Sequence, residues 1–497
     1  MEFERTSRRG FLGAAAGAWV AGQAAAGVPP GAPPAASPKR LSFSRELPVL
    51  EPCDVVVCGG GPAGVAAALG ARRAGLGVLL VEAMGQLGGM GVSGMVSHWL
   101  GGRTGDCRRW VVGGLFRTMA EEAARGGFAL IPPARSPYQP HGWYPGLAHG
   151  IPFDPFAMAA YLDEKIAAAG VRVLLLSEAV DVDLQGERIA HVIVSNKSGL
   201  AAVPTKAVVD ATGDADVAAR SGCRVQKGRE EDHLMTPATL QFHVSGVDQE
   251  ALSQYIHEHK APRFRRLIRE LREAGEWTFP YEIFISVQLD EPGTMMINTS
   301  RLCDVDGTDG ASKTAGMVRG RAETQRLFAL MRKHFPGFAK ARIKAVAPLL
   351  GVRETRRIEG RFVLGVADLN AGRQFEDTIG LSSYGWDLPD PKRPSHNPGH
   401  GKKRPVTPIP YRAMVPQPVE NLVCPGRAIS VQREVLGPLR VMAPCMAMGE
   451  AAGEAAAQAV RRKVAFGEVD AALLREALAR HGAILDETAL PECNTTT

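Results

Sequence analysis

Apolar and polar positions along the 497-residue chain alternate between short buried-type runs and helical periods. Cys53-Asp54-Val55-Val56-Val57-Cys58 is a β-branched run of the kind that forms a strand buried on both faces. A glycine turn, Gly59-Gly60-Gly61-Pro62-Ala63-Gly64, follows at once, and Val65 to Ala74 then reads as an Ala-rich helix stopped by Gly75. Gly77 to Val81 predicts a second strand, closed by Glu82. Further along, Phe153-Asp154-Pro155 opens an amphipathic helix, with Asp154 as N-cap and Pro155 at the first helical position. Gly170 to Leu176 and Val208 to Asp210 predict strands, and Leu240 to Ser245 alternates like a half-buried one. Residues 387–405 are rich in Pro, Gly and His without periodicity, which predicts a long loop placed as a lid over a site.

The first strand, turn, helix and second strand make a βαβ unit with an acid about 20 residues past the turn, the arrangement that binds a dinucleotide. Gly59 permits the tight turn, Gly61 lets backbone approach a pyrophosphate, and Gly64 lets the helix pack on the strand. Free N–H groups at the helix start favour the diphosphate, and Pro62 and Ala63 lie beside it. Glu82 suits ribose hydroxyls and repels a 2′-phosphate. A second glycine pair past the acid, in Gly85-Gln86-Leu87-Gly88-Gly89-Met90-Gly91, lets another loop crowd the cofactor.

From here the chain resembles the FAD-dependent oxidoreductases of the glutathione-reductase-like superfamily. Val208-Val209-Asp210-Ala211-Thr212-Gly213-Asp214-Ala215-Asp216 is similar to that family's second flavin fingerprint. Gly426-Arg427 and Met448-Gly449-Glu450-Ala451-Ala452-Gly453 look like its flavin-facing strand end and helix start. The resemblance implies an α/β fold: a Rossmann-like FAD-binding domain assembled from discontinuous segments, with an inserted α+β substrate domain. It implies FAD as cofactor, touched by Gly59, Gly61, Pro62, Ala63, Gly64, Glu82, Gly88, Gly89, Met90, Val180, Thr212, Gly213, Asp214, Asp216, Gly426, Arg427, Gly449, Ala452 and Gly453. Relatives of the heterodisulfide reductase flavin subunit belong to the same group, but its cysteine-rich cluster motifs are missing here, so FAD carries over and iron–sulfur does not.

The expected segments are a signal and cleavage region at 1–36 and a linker at 37–50. The FAD-binding domain spans 51–224 and returns at 406–470, a substrate domain is inserted at 225–405, and a helix and tail occupy 471–497. Arg353-Glu354-Thr355-Arg356-Arg357-Ile358-Glu359-Gly360 and Ile409-Pro410-Tyr411-Arg412 are similar to recurring stretches of the family. Arg353, Tyr411 and Arg412 are therefore the candidate catalytic residues, with the arginines clamping a carboxylate. The competing reading for such arginines is internal ion pairing with Glu354 and Glu359. His98, Trp99, Tyr384 and Trp386 are candidate pocket residues, whereas His396 and His400 lack the partners of a metal site.

The function implied is dehydrogenation: hydride passes between a small organic substrate and FAD, and an unidentified acceptor takes the electrons onward. A fumarate-reductase-like or ketosteroid-dehydrogenase-like C–C redox enzyme and a flavin-carrying electron-transfer subunit are the alternatives. A second G-x-G-x-x-G and a Cys-x₄-Cys pair are both missing, which argues against an NAD(P)H-dependent disulfide reductase.

The start of the chain carries an address. Ser7-Arg8-Arg9-Gly10-Phe11-Leu12 and the small apolar run Gly13 to Ala26 look like a twin-arginine signal, which implies export machinery and a periplasmic or otherwise extracytoplasmic location. That run is too short and too rich in Ala and Gly for a stable membrane span. The formal charge of +6 is scattered. The basic clusters Arg353–Arg361 and Lys402–Arg404 lack interleaved aromatics, so nucleic acid is not expected, while attraction for an anionic substrate stays open. Cys53 and Cys58, five strand residues or roughly 16 Å apart, cannot bridge each other.

Overall fold

The computed structural model describes residues 41–133, 147, 149–401 and 406–493. The export signal and Lys402–Arg404 therefore lie outside the described residues. By contacts the chain divides after Glu46, and Leu47 onward forms one compact unit.

The βαβ start forms as its residues dictate. Strand β1 (Cys53–Cys58) runs into helix α1 (Pro62–Arg73) and then strand β2 (Val78–Val81). Pro62 occupies the first helical turn, where its missing N–H costs nothing, so the helix begins earlier than the apolar run alone suggests. Helix α2 (Pro155–Ala168) is capped as expected, Asp154 accepting from the N–H groups of Phe156 and Ala157 at 2.8 Å. Strands β3 (Arg172–Leu174), β4 (Glu178–Gln185), β5 (Arg188–Asn196) and β6 (Gly199–Asp210) follow.

Among the described residues these build a seven-stranded sheet of order β3–β2–β1–β6–β5–β4, with Leu422–Val423 added beside β6. The β3, β2, β1 and Leu422–Val423 pairings are parallel, and the β4–β5–β6 pairings antiparallel. The long strand β6 belongs to both halves: Gly199–Pro204 pairs with β5, and Thr205–Asp210 pairs with β1. Its C-terminal end therefore emerges beside that of β1, which is where an open parallel sheet binds ligands.

Against this sheet α1 is crossed by helix α3 (Met442–Arg462). The crossing is close because α3 presents glycine to it. A Cβ on Gly449 would stand 2.0 Å from the Ala63 carbonyl oxygen, and one on Gly453 would stand 2.4 Å from that of Ala67.

A second, antiparallel sheet contains β7 (Phe242–Ser245), β8 (Ser286–Gln288), β9 (Met295–Ile297) and β10 (Arg342–Val346), in the order β8–β9–β7–β10. Its own core draws on Phe242, Phe264, Trp277, Phe284, Phe335 and Phe338. Leu364, Phe375, Ile379 and Leu381, by contrast, join the apolar core shared with α1 and α3. Residues of the 225–405 segment thus contribute to both cores.

Candidate functional site

The glycine turn sits where β1 stops, and its backbone shape follows from contacts a side chain would not survive. Gly59 has φ +101°, and a Cβ there would lie 2.5 Å from the Ala211 carbonyl oxygen at the end of β6. Gly61 is the opposite case. A Cβ would meet only Gly89 Cα, at 3.9 Å, so open space lies over the start of α1. Gly64 lies under the turn, its missing side chain replaced by the Gly59 carbonyl.

Glu82, 7% exposed, closes the turn from the side. Its carboxylate accepts from the Gly60 N–H at 2.5 Å and the Met84 N–H at 2.7 Å. Burial raises its pKa, and those two backbone donors work against the rise. The Gly88–Gly89 loop crowds the turn from above, with the Gly88 N–H donating to the Gly60 carbonyl at 2.8 Å.

One cleft of about 1340 Å³ runs from this turn. Gly59, Gly61, Pro62, Ala63, Glu82, Gly89, Met90, Thr212, Gly213, Asp214, Asp216, Gly426 and Arg427 all line it. The end of β6 is held by its own side chains: buried Asp210 accepts from the Thr212 hydroxyl at 2.6 Å and the Ala218 N–H at 2.9 Å. Asp214 then accepts from Arg427 at 2.5 Å and from the Thr355 hydroxyl at 2.7 Å, tying three distant stretches together.

Several expected cofactor contacts fall elsewhere. Gly64 and Gly88 shape the turn without lining the cleft. At the start of β4, Ser177, Glu178 and Ala179 line it and Val180 does not. Gly449, Ala452 and Gly453 lie inside α3 at or near its crossing with α1. That helix begins six residues before the expected Met448 start, so Val441 and Met442 reach the cleft instead. Pro444, in the first turn, was the signal in the sequence for the earlier start.

The candidate catalytic residues also separate. Arg353 lines the cleft. Tyr411 is buried in the core, its hydroxyl donating to the Phe466 carbonyl at 2.9 Å. Arg412 stacks on Phe362, with its guanidinium 4.8 Å from the ring centroid, and pairs with Asp377 at 3.8 Å. Tyr411 is a core residue, and Arg412, with its side chain 42% exposed, faces Phe362 and Asp377; neither lines the cleft. Internal ion pairing holds for Arg356 with Asp216 at 2.9 Å and for Arg357 with Glu354 at 3.3 Å. His98, Tyr384 and Trp386 line the cleft, and Trp99 packs on Phe153 and Phe116. Residues 387–401 cover one side of it through Asp387, Asn397, Gly399 and Gly401. His396 is exposed there, and His400 stands edge-on to Trp386.

Beyond the glycine turn the cleft opens onto residues that spacing did not reveal: Gln241, Asn298, Arg301, Asp387 and Arg440. Asp387 accepts from the Tyr384 hydroxyl at 2.7 Å and from Arg440 at 3.0 Å. Burial pushes its carboxyl up, but Arg440, Tyr384, Arg353 and Arg301 together outweigh burial and hold it below the usual carboxylate value. Burial, followed by the charges of Arg301 and Arg440, lowers the pKa of Arg353.

The residues fit FAD on three observations. Gly61 leaves room over a helix N-terminus, Glu82 borders that space, and the cleft exceeds the roughly 300–1,000 Å³ of an ordinary small-molecule pocket. Among the described residues no helix is long and apolar enough to cross a membrane. No curated protein matches the chain. Among solved structures it is similar to p-nitrophenol 4-monooxygenase PnpA from Pseudomonas putida DLL-E4, at 13% identity over 88% of this chain and 85% of that one, with a TM-score of 0.47. It is similar to a geranylgeranyl bacteriochlorophyll reductase-like protein from Thermoplasma acidophilum, at 14% identity over 86% and 83%, TM-score 0.44. Residues 54–478 match the family described as FAD dependent oxidoreductase. With a match over most of its length, the chain belongs to the FAD-dependent oxidoreductase family, and its cofactor is FAD.

Proposed function

We propose that this oxidoreductase passes a hydride between a small organic substrate and FAD, and that it works outside the cytoplasm. The observation that carries the redox reading is the continuity of one cleft. The glycine turn, Glu82 and the Thr212–Asp214 strand end line one part of it, and Gln241, Asn298, Tyr384 and Asp387 line another. Room for a substrate beside the cofactor favours an enzyme over a flavin-carrying electron-transfer subunit.

Bound there, FAD supplies the two-electron chemistry. The chain's own residues hold and orient. The start of α1 offers N–H groups to the diphosphate across the open face of Gly61. Glu82 keeps lone pairs for ribose hydroxyls after serving Gly60 and Met84. The Arg427–Asp214–Thr355 contacts lock the β6 end against the Gly426 loop, so the cleft wall is formed in advance. The extracytoplasmic part rests on Arg8-Arg9 and the apolar run after it.

The test is anaerobic reduction of the purified, yellow protein by a panel of sugars, hydroxy acids and steroids. Bleaching of the flavin band by one class without a partner protein supports the reading, and flavin that no donor bleaches refutes it. A fusion of residues 1–48 to a folded reporter tests location: Arg8→Lys with Arg9→Lys should abolish export, and export of that variant would refute the twin-arginine route.

A further inference from the structure

We propose that Arg301, Arg353 and Arg440 form a binding site for the carboxylate of an anionic substrate. This rests on the reading of the cleft as the redox site and names the class of molecule it takes.

Three stretches distant in sequence deliver these arginines to one cleft. Arg301 follows β9, Arg353 follows β10, and Arg440 precedes α3. Arg301 and Arg353 meet at Asn298, whose carbonyl accepts from Arg301 at 3.3 Å and whose side-chain oxygen accepts from Arg353 at 3.1 Å. Arg301 is 5% exposed, and the Arg440 side chain is 11% exposed.

Their charge is not balanced among the described residues. Arg440 has Asp387. Arg301 donates only to neutral groups, the nearest being the Ser300 carbonyl at 2.9 Å, and Arg353 donates to the Pro237 carbonyl at 2.6 Å and to Asn298. Among the described residues neither has a carboxylate within ion-pair distance. The internal segments outside the description, 134–146, 148 and 402–405, contain no Asp or Glu that would supply one. Counting only these three cations and Asp387, two positive charges are left over beside a cleft that Arg263 also lines, which is costly without an anion where the side chains are buried.

The geometry also leaves donors waiting. The Nε–H groups of Arg301 and Arg440 are buried without an acceptor. Donors of this kind, on planar guanidinium groups, suit the paired oxygens of a carboxylate. Nearby, Thr239 touches Arg301 at 3.4 Å, and Gln241 lies two residues further along the chain, the spacing that puts extended residues on one face. The Gln241 side-chain oxygen is buried without a donor and lines the cleft, so the same molecule is expected to bring a hydroxyl or amine to it.

The experiment uses the FAD-loaded full chain and paired probes: lactate with lactamide, benzoate with benzamide, and phenyl phosphate as a third anion. Binding is read from the flavin difference spectrum and from tryptophan fluorescence, since Trp386 lines the cleft. The carboxylates should bind at least tenfold tighter than their amides. Arg353→Met and Arg301→Met should each remove at least tenfold of that preference, with flavin content unchanged. Lactate and lactamide binding alike, phenyl phosphate binding tighter than benzoate, or the arginine variants keeping the preference would each overturn the proposal. Wild-type probe pairs decide the matter even if a variant does not fold. Carboxylate binding to a protein whose flavin no donor bleaches would sink the dehydrogenase reading alone, and bleaching by neutral donors untouched by either substitution would sink this one alone.

Discussion

The carboxylate of Glu82 accepts a hydrogen bond from the backbone N–H of Gly60 at 2.5 Å, joining the end of β2 to the middle of the glycine turn. The acid therefore shapes the turn as well as facing the cleft. Replacing it with alanine strands a buried Gly60 N–H, a loss of about 1–3 kcal/mol. Glu82→Ala should lower both the denaturation midpoint and FAD retention, whereas Glu82→Gln, which keeps an acceptor, should recover part of the midpoint. Equal midpoints for Glu82→Ala and wild type would contradict this.

Gly59 and Gly61 should fail differently. Gly59→Ala forces a Cβ to 2.5 Å from the Ala211 carbonyl at a left-handed φ, so the apoprotein itself should lose stability. Gly61→Ala meets nothing closer than 3.9 Å, so the apoprotein should melt like wild type while FAD affinity falls at least tenfold. Calorimetry of the apoproteins with flavin titration separates the two, and an unstable Gly61→Ala apoprotein would count against the open-face reading.

Gly453→Ala sets two effects against each other. Helix propensity alone favours alanine by about 1 kcal/mol. Its Cβ, however, would sit 2.4 Å from the Ala67 carbonyl and 2.6 Å from the Ala71 nitrogen, and overpacking of that kind costs roughly 1–3 kcal/mol. Packing should win, giving a net loss in urea denaturation; a gain would mean that α1 and α3 separate freely.

Glu354 is fully buried and accepts from Arg433 at 2.7 and 2.8 Å, Arg357 at 3.3 Å and the Thr236 N–H at 2.8 Å. Glu354→Ala leaves two guanidinium groups without their anion, which costs about 3–5 kcal/mol. The variant should unfold at markedly lower denaturant, and a change within about 0.5 kcal/mol, the scale of an ordinary surface substitution, would rule out the buried pair as a structural tie.

Burial lowers the His243 pKa to about 4, against a carbonyl contact from Met95 at 3.1 Å that works the other way. The unfolded chain takes up a proton near pH 6.5, before the folded one does. The stability this group contributes is therefore complete above pH 6.5 and is lost as pH falls toward 4, on the order of 3 kcal/mol in full. His243→Leu should flatten that part of the stability profile, and an unchanged slope between pH 6.5 and 4 would show that other groups carry it.

The dinucleotide end of the cleft was legible because its chemistry is local. A buried β-branched run, a glycine turn, a helix and an acid occupy about 30 consecutive residues, and the contacts they make lie largely within that unit. Gly449 and Gly453 were legible as important but misplaced, because close approach of backbone to a ligand and close approach of one helix to another ask for the same residue. Tyr411 and Arg412 were misread for a similar reason: an arginine near a strand end looks the same whether it faces a cleft or stacks on Phe362.

The order of residues alone determined that a βαβ unit would form and where its turn would tighten, and the family resemblance of the stretches that follow added FAD. Short-range sterics, capping and strand burial are enough for the unit and its turn. Only the tertiary structure decided which distant residues share the rest of the cleft. Arg301, Arg353, Asp387 and Arg440 span 140 positions and carry no common spacing, because the folded sheet and the loop at 387–401, and not the chain between them, bring them together.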